Sequence, residues 1–169
     1  MTLLHIERGL TIRAPLEDVW KTTAEDFDRI DRWDGNVRTA QKLDSPPPEG
    51  APVGGRTCQM YRGASIVERL VEYDPSTYRL AYRVEEGLPG FVALATNHWS
   101  HSEVEEGTLL ELRLELETRG PLGVLMSLPL RLQMGKVLGR ALEELKFFVE
   151  TGSPHPRKVA RVKRSSATT

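Results

Sequence analysis

Five consecutive residues concentrate the side chains of this sequence that could do chemistry: Asn97, His98, Trp99, Ser100 and His101. Two of the four histidines and one of the three tryptophans lie here. An imidazole can act as a general base or a metal ligand, and a serine beside one can act as a nucleophile. What decides is which side chains share a face. The flanking residues alternate in character, so the stretch reads as a strand, in which neighbours point to opposite sides. Asn97, Trp99, His101 and Glu103 then share the inner face, and His98 and Ser100 point to solvent. That separates Ser100 from His101 and breaks up any chelating His98–His101 pair.

Other chemistries find little support. His5 and His155 sit near the two ends, and Cys58 is the only cysteine, so neither a metal centre nor an internal disulfide is expected. There is no G-x-S-x-G nucleophile turn, and "VGGR" (53–56) has neither the spacing nor the context of a nucleotide-binding loop. No cofactor is expected.

The elements that must hold these residues can be read in order. "LLHIERGLTIRA" opens as a strand. Pro15 followed by Glu17 and Asp18 starts a short helix bearing Val19 and Trp20. A second short helix holds Phe27, Ile30 and Trp33 and ends at Gly35. "NVRTAQKL" is a strand, and "DSPPPEGAPVGG" (44–55) is a loop. Three hairpins follow, and tight turns would fix their pairing. A turn at Arg62-Gly63 sets Cys58 opposite Val67 and Arg56 opposite Arg69. A turn at "DPST" (74–77) sets Arg69 opposite Tyr82, with Glu68 facing Arg83 and Glu72 facing Arg79 on the solvent side. A turn at Glu106-Gly107 sets Trp99 opposite Leu114 and His101 opposite Leu112. In "TLLELRLELE" the leucines at 110, 112, 114 and 116 point inward. Last, Met126, Leu130, Met134, Val137, Ala141, Leu145 and Phe148 recur at steps of four and three, one stripe of a long amphipathic helix. Pro129 is expected to kink or restart it.

The 169 residues fit a single domain, 39% hydrophobic and 28% charged, with no apolar run long enough to cross a membrane and no secretory signal. A cytoplasmic location and no membrane insertion are expected. The net charge of −1 hides an asymmetry. Five of the 23 basic residues follow Gly152 and none of the 24 acids does, which leaves residues 1–152 with six more acids than bases. The stretch 153–169 reads as a basic, disordered tail, and an acidic body argues against nucleic acid as a partner.

The order strand, two short helices, antiparallel strands, long helix resembles the START-like/Bet v 1-like superfamily, and within it the polyketide cyclase/dehydrase and lipid-transport group. "IRAPLEDVW", "FDRIDRW", "VGGRT", "IVERLVEYD", "RLAYRVEEGLP", the Trp99 strand, "GTLLEL" and the terminal helix carry the likeness. It implies an α+β helix-grip fold over residues 1–152, in which a curved antiparallel sheet wraps the C-terminal helix around an apolar cavity.

Two functions follow. The first is binding or transport of a hydrophobic small molecule, lipid- or polyketide-like. Its cavity would be lined by Cys58, Met60, Val67, Val71, Tyr82, Trp99, Met126, Leu130 and Met134, with Asn97 as a polar contact. Arg56 and Arg69 would meet a ligand's carboxylate or enolate. The alternative is a polyketide cyclase or dehydrase, with His101 as general base and Tyr82 or Arg69 stabilising an enolate.

Overall fold

The computed structural model describes residues 1–167. Strand β1 (Thr2–Ile12) leads to helix α1 (Leu16–Trp20), which runs on through a π turn (Lys21–Glu25) and a 3-10 turn (Phe27–Arg32). Six strands follow: β2 (Val37–Lys42), β3 (Gly55–Met60), β4 (Ile66–Asp74), β5 (Arg79–Glu86), β6 (Val92–Val104) and β7 (Gly107–Thr118). Helix α2 (Gly120–Thr151) and helix α3 (Pro156–Ser166) close the chain. The strands form one antiparallel sheet in the order β1-β7-β6-β5-β4-β3-β2, so each strand from β2 to β7 pairs with its neighbours in sequence and β1 closes onto β7. This is the α+β helix-grip arrangement that the order of elements implied. One face of the sheet takes α2 across it. The other carries Arg79, Arg83, Glu111 and Arg113, all exposed.

The alternating strands behave as their pattern dictates. Leu110, Leu112, Leu114 and Leu116 are all buried, as are Leu80 and Tyr82 on β5. On β6, Asn97, Trp99 and His101 are buried on the inner face, and His98 lies outside against Glu115 at 3.5 Å. The β6–β7 turn lies one residue earlier than the sequence suggests, at Glu105-Glu106 with Val104 pairing with Gly107, so Trp99 lies opposite Leu112 and His101 opposite Leu110. The shift is by two residues and leaves every face unchanged.

Strand β4 corrects the expected register. Leu70 pairs with Tyr82 and Glu72 with Ala81, so Val71 is an extra residue with no partner. Such a bulge reverses the face of everything before it on the strand. Glu68 and Leu70 therefore turn inward, while Arg69 and Val71 turn outward. Val71 is 44% exposed, and Arg69 pairs with Glu85 on the outer surface at 2.6 Å. Glu68 does not face Arg83, and Glu72 does not face Arg79. The β3–β4 connection is also looser than a tight turn, which sets Arg56 opposite Glu68 rather than Arg69, Cys58 opposite Ile66, and Thr57 opposite Val67.

Helix α2 runs without interruption through Pro129. Its ring removes the hydrogen bond to the Leu125 carbonyl. Both residues face solvent, where water can take over that carbonyl. The helix ends at Gly152, whose φ of 73° is the left-handed cap that a side chain disfavours. Gly135 is needed for close packing: the Arg8 guanidinium occupies the space of a Cβ there, and Arg8 Nε donates to the Gly135 carbonyl at 3.2 Å. Gly139 meets nothing within 4 Å. Gly139→Ala should therefore raise stability by up to about 1 kcal/mol, the helix-propensity difference, whereas Gly135→Ala must first displace Arg8. Urea titration of the two variants checks this.

The basic tail is not disordered over its described part. Residues Pro156–Ser166 form α3, capped by His155, whose Nδ1 accepts the Arg157 N–H. Lys158 is the anchor. Its buried ammonium donates to the Asp34 and Val37 carbonyls, both at 2.9 Å. Arg161 Nη1 donates to the Gly35 carbonyl at 3.0 Å and to Asn36 Oδ1 at 2.7 Å. The tail's charge thus closes the open backbone of residues 34–37. The last two residues of the 153–169 stretch lie outside the described residues.

Candidate functional site

Between the sheet and α2 lies a cavity of about 370 Å³. Its floor is the inner face of β5, β6 and β7, including Tyr82, Val84, Ala95, Leu114 and Leu116. Its roof is the α2 stripe of Met126, Leu130, Met134, Val137 and Ala141. One end is closed by Ile30, Trp33 and Asp34, and another wall by the β5–β6 loop with Leu88, Pro89 and Phe91. The volume lies in the lower range of small-molecule pockets.

Of the residues expected to line it, Arg56, Met60, Tyr82, Asn97, Trp99, Met126, Leu130 and Met134 do so. Cys58 is buried in the main core instead, and burial pushes its thiol up to about 12, as for an inert packing residue. Val67, Arg69 and Val71 do not line it, because the Val71 bulge and the looser β3–β4 turn change their positions. Ile66 and Glu68 take the inward positions of that strand. The β5–β6 loop was missed, although apolar Leu88 and Phe91 inside a Gly/Pro-rich turn were a readable sign of a buried role.

His101 stands apart from the cavity. Its Nδ1–H donates to the Tyr78 carbonyl at 2.9 Å, and Nε2 faces the Thr23 hydroxyl at 2.8 Å. The Trp20 ring meets it edge-on at 5.3 Å. Burial pushes the imidazole down to about 4, so it is neutral near pH 7. With both nitrogens occupied, it serves as a packed core residue and not as a base facing substrate.

Arg56 is equally committed. Its Nε donates to Glu68 at 2.5 Å and its Nη1 to the Phe27 carbonyl at 2.8 Å. The guanidinium lies 3.9 Å from the Phe27 ring centroid and 5.0 Å from that of Tyr82. Held in this way it supplies a closed ion pair rather than a free cation for a ligand. Next to it, burial raises the Asp34 carboxyl to about 6, against the hydrogen bond that Asn36 N donates to its Oδ1 at 2.7 Å.

Three neutral polar groups at this end are unsatisfied. Asn97 Oδ1 and Trp33 Nε1 are buried without a hydrogen-bond partner. The Trp99 indole N–H approaches the Tyr82 hydroxyl, which keeps it company without an aligned bond. Among the described residues, no three His, Cys, Asp or Glu side chains come together to hold a metal ion.

Residues 4–150 match the family model described as polyketide cyclase/dehydrase and lipid transport. The chain belongs to this family. In the polyketide cyclase/dehydrase and lipid-transport family, then, this member keeps the helix-grip frame, and α3 lies beyond the matched segment. Solved structures agree on the fold. A START superfamily protein from Mycobacterium smegmatis superposes with a TM-score of 0.71 at 14% identity, covering 88% of this chain and 99% of that one. A protein from Nitrosospira multiformis gives 0.68 at 15% identity, with 88% and 98% covered. Ara h 8.0201 gives 0.65 at 12% identity over the same shares. No curated protein matches the sequence. No helix among the described residues is long and apolar enough to cross a membrane.

Proposed function

We propose that this family member binds a neutral, mostly apolar small molecule in the cavity beneath α2, with its polar group turned toward Asn97 and Trp33. One observation carries the reading: apart from Asp34 and the paired Arg56 and Glu68 the walls are mostly aliphatic, aromatic and methionine side chains, and the polar side-chain groups left buried without a partner there, Asn97 Oδ1 and the Trp33 and Trp99 indole N–H groups, are uncharged. A buried amide oxygen and a buried indole N–H each lack a bond that a ligand hydroxyl or carbonyl would supply. The only guanidinium in the wall, Arg56, is neutralised by Glu68, so a ligand carboxylate gains little there. Methionines on α2 let such a pocket adapt its shape. Carrier function is favoured over cyclase or dehydrase catalysis because His101, the base that catalysis would use, is occupied and away from the cavity. A cytoplasmic location fits the single unpaired Cys58.

The test is saturable binding of an environment-sensitive apolar dye to the folded protein. Ala141→Trp, which adds bulk into the cavity from α2, should weaken binding by roughly a hundredfold, the cost of filling a pocket of this size. Val71→Trp, on the outer surface, should leave it unchanged. Absence of saturable binding by folded wild type, or equal binding by Ala141→Trp, overturns the reading.

A further inference from the structure

A second concave site forms where α3, which follows the family-matched segment, packs back on the body. It is a groove of about 540 Å³ between α2, α3 and the β3–β4 turn. Five arginines line it: Arg62 from the turn, Arg140 from α2, and Arg157, Arg161 and Arg164 from α3. Among the described residues the only carboxylate in the lining is that of Glu144. Its oxygens are spent, one on the Gly35 N–H at 2.6 Å and the other on Arg157 Nε at 3.2 Å. Gly35 makes that seat possible, since a Cβ there would fall 2.8 Å from Glu144 Oε1.

We propose that this groove binds a compact phosphate-bearing anion. Gathering guanidinium groups in one groove costs repulsion that nearby carboxylates usually relieve. Of the chain's 24 Asp and Glu residues one, Glu144, lines this groove among the described residues, and it pairs with neither Arg62 nor Arg140. Part of the arginine chemistry is structural: Arg157 also holds Glu143 at 2.7 Å, and Arg161 Nη1 holds Gly35 and Asn36. Those bonds fix α3 and orient its guanidiniums. Arg62 and Arg140 have no such duty, are exposed, and make no ion pair among the described residues. Arginine forks from three separate segments suit a group that presents oxygens in several directions, as a phosphate does and a single carboxylate does not. A compact ligand is favoured over a nucleic acid, because residues 1–152 carry more acids than bases and a long polyanion would meet them on either side. The proposal stands independently of what the cavity holds.

Phosphate esters can be free or can be lipid headgroups, and the experiment separates the two. The full chain is titrated with pyrophosphate by calorimetry at about 0.15 M salt. In parallel it is floated with phosphatidylcholine vesicles containing either phosphatidic acid, a phosphate monoester, or phosphatidylserine. The informative variant is Arg62→Ala/Arg140→Ala, with circular dichroism to show that α3 is retained. Arg79→Ala/Arg113→Ala removes the same charge from the outer face of the sheet. The expected result is saturable binding of pyrophosphate, of phosphatidic acid vesicles or of both. Binding should be weakened by about tenfold or more in Arg62→Ala/Arg140→Ala, the loss of two charge-assisted contacts, and unchanged in the control. Pyrophosphate alone identifies a free ligand; phosphatidic acid without phosphatidylserine identifies a headgroup. The proposal is overturned if neither phosphate probe binds, if phosphatidylserine binds as well as phosphatidic acid with no pyrophosphate binding, or if both variants lose binding equally. Binding to a DNA duplex without binding to pyrophosphate overturns it as well.

Discussion

Glu68→Ala is expected to cost about 3–5 kcal/mol of folding stability, because it leaves the Arg56 guanidinium buried without its counter-charge. The side chain of Arg56 is 4% exposed and that of Glu68 is 13%. The Phe27 carbonyl and the Phe27 and Tyr82 rings remain as partners, and none carries a full negative charge. Removing both charges is a different matter. Arg56→Met/Glu68→Leu should recover most of the loss, since two paired ions are replaced by apolar groups of similar volume. Glu85→Ala is the contrast: it breaks the Arg69–Glu85 pair, whose side chains are about a third exposed, and should cost no more than about 1 kcal/mol. Guanidinium titrations of the four proteins measure this. A Glu68→Ala cost as small as that of Glu85→Ala would mean that Arg56 reaches water, and would take away the closed ion pair on which the neutral-ligand reading relies.

That ion pair also marks where the sequence stops being legible. Over Arg79–Val84, Leu94–Val104 and Gly107–Glu117 strands β5, β6 and β7 alternate without interruption, so the inward placing of Tyr82, Asn97, Trp99 and the β7 leucines followed from period two alone, and survived a two-residue register error at the β6–β7 turn. Strand β4 alternates just as plainly as text, but one unpaired residue at Val71 reverses its first half. Nothing local announces a bulge at a valine. Two arginines set face to face inside, Arg56 and Arg69, were the sign that the register was wrong, and the structure relieves that conflict with Glu68. The α2 stripe is legible without a partner strand, since helical period alone puts Met126, Leu130 and Met134 on one side of the helix, and all three lie along the cavity roof. The tail failed for the opposite reason. Pro154, Pro156 and a run of basic residues have the composition of a disordered end. What holds α3 is a set of backbone carbonyls at residues 34–37, more than 120 positions away, and no sequence pattern records an unsatisfied carbonyl.

Asp34 and His101 make the pH dependence of stability a test of the site itself. An acid whose pKa is higher in the folded protein than in the unfolded chain holds its proton more tightly when folded. With Asp34 raised from 3.8 to about 6, its contribution is fully present below pH 4 and is lost as pH rises through 6, a loss of about 3 kcal/mol. His101 has the reverse sign. Its pKa falls from 6.5 to about 4, so its contribution is intact above pH 6.5 and is lost as pH falls through 4, again by about 3 kcal/mol. In wild type the two oppose each other across the same window, and substitution separates them. Asp34→Asn keeps an oxygen for the Asn36 N–H and removes the titration. Relative to wild type it should gain about 3 kcal/mol between pH 4 and pH 7. His101→Gln should move the other way, gaining on wild type by a similar amount as pH drops from 7 to 4. Urea unfolding at half-unit pH steps reads both differences, and buffer effects on the remaining carboxylates cancel in the comparison. If Asp34→Asn runs parallel to wild type from pH 4 to 7, the Asp34 carboxyl is hydrated, and the closed end of the cavity is open to water. If His101→Gln runs parallel instead, the imidazole is free to titrate, and the case for treating it as a packed core residue rather than a base collapses.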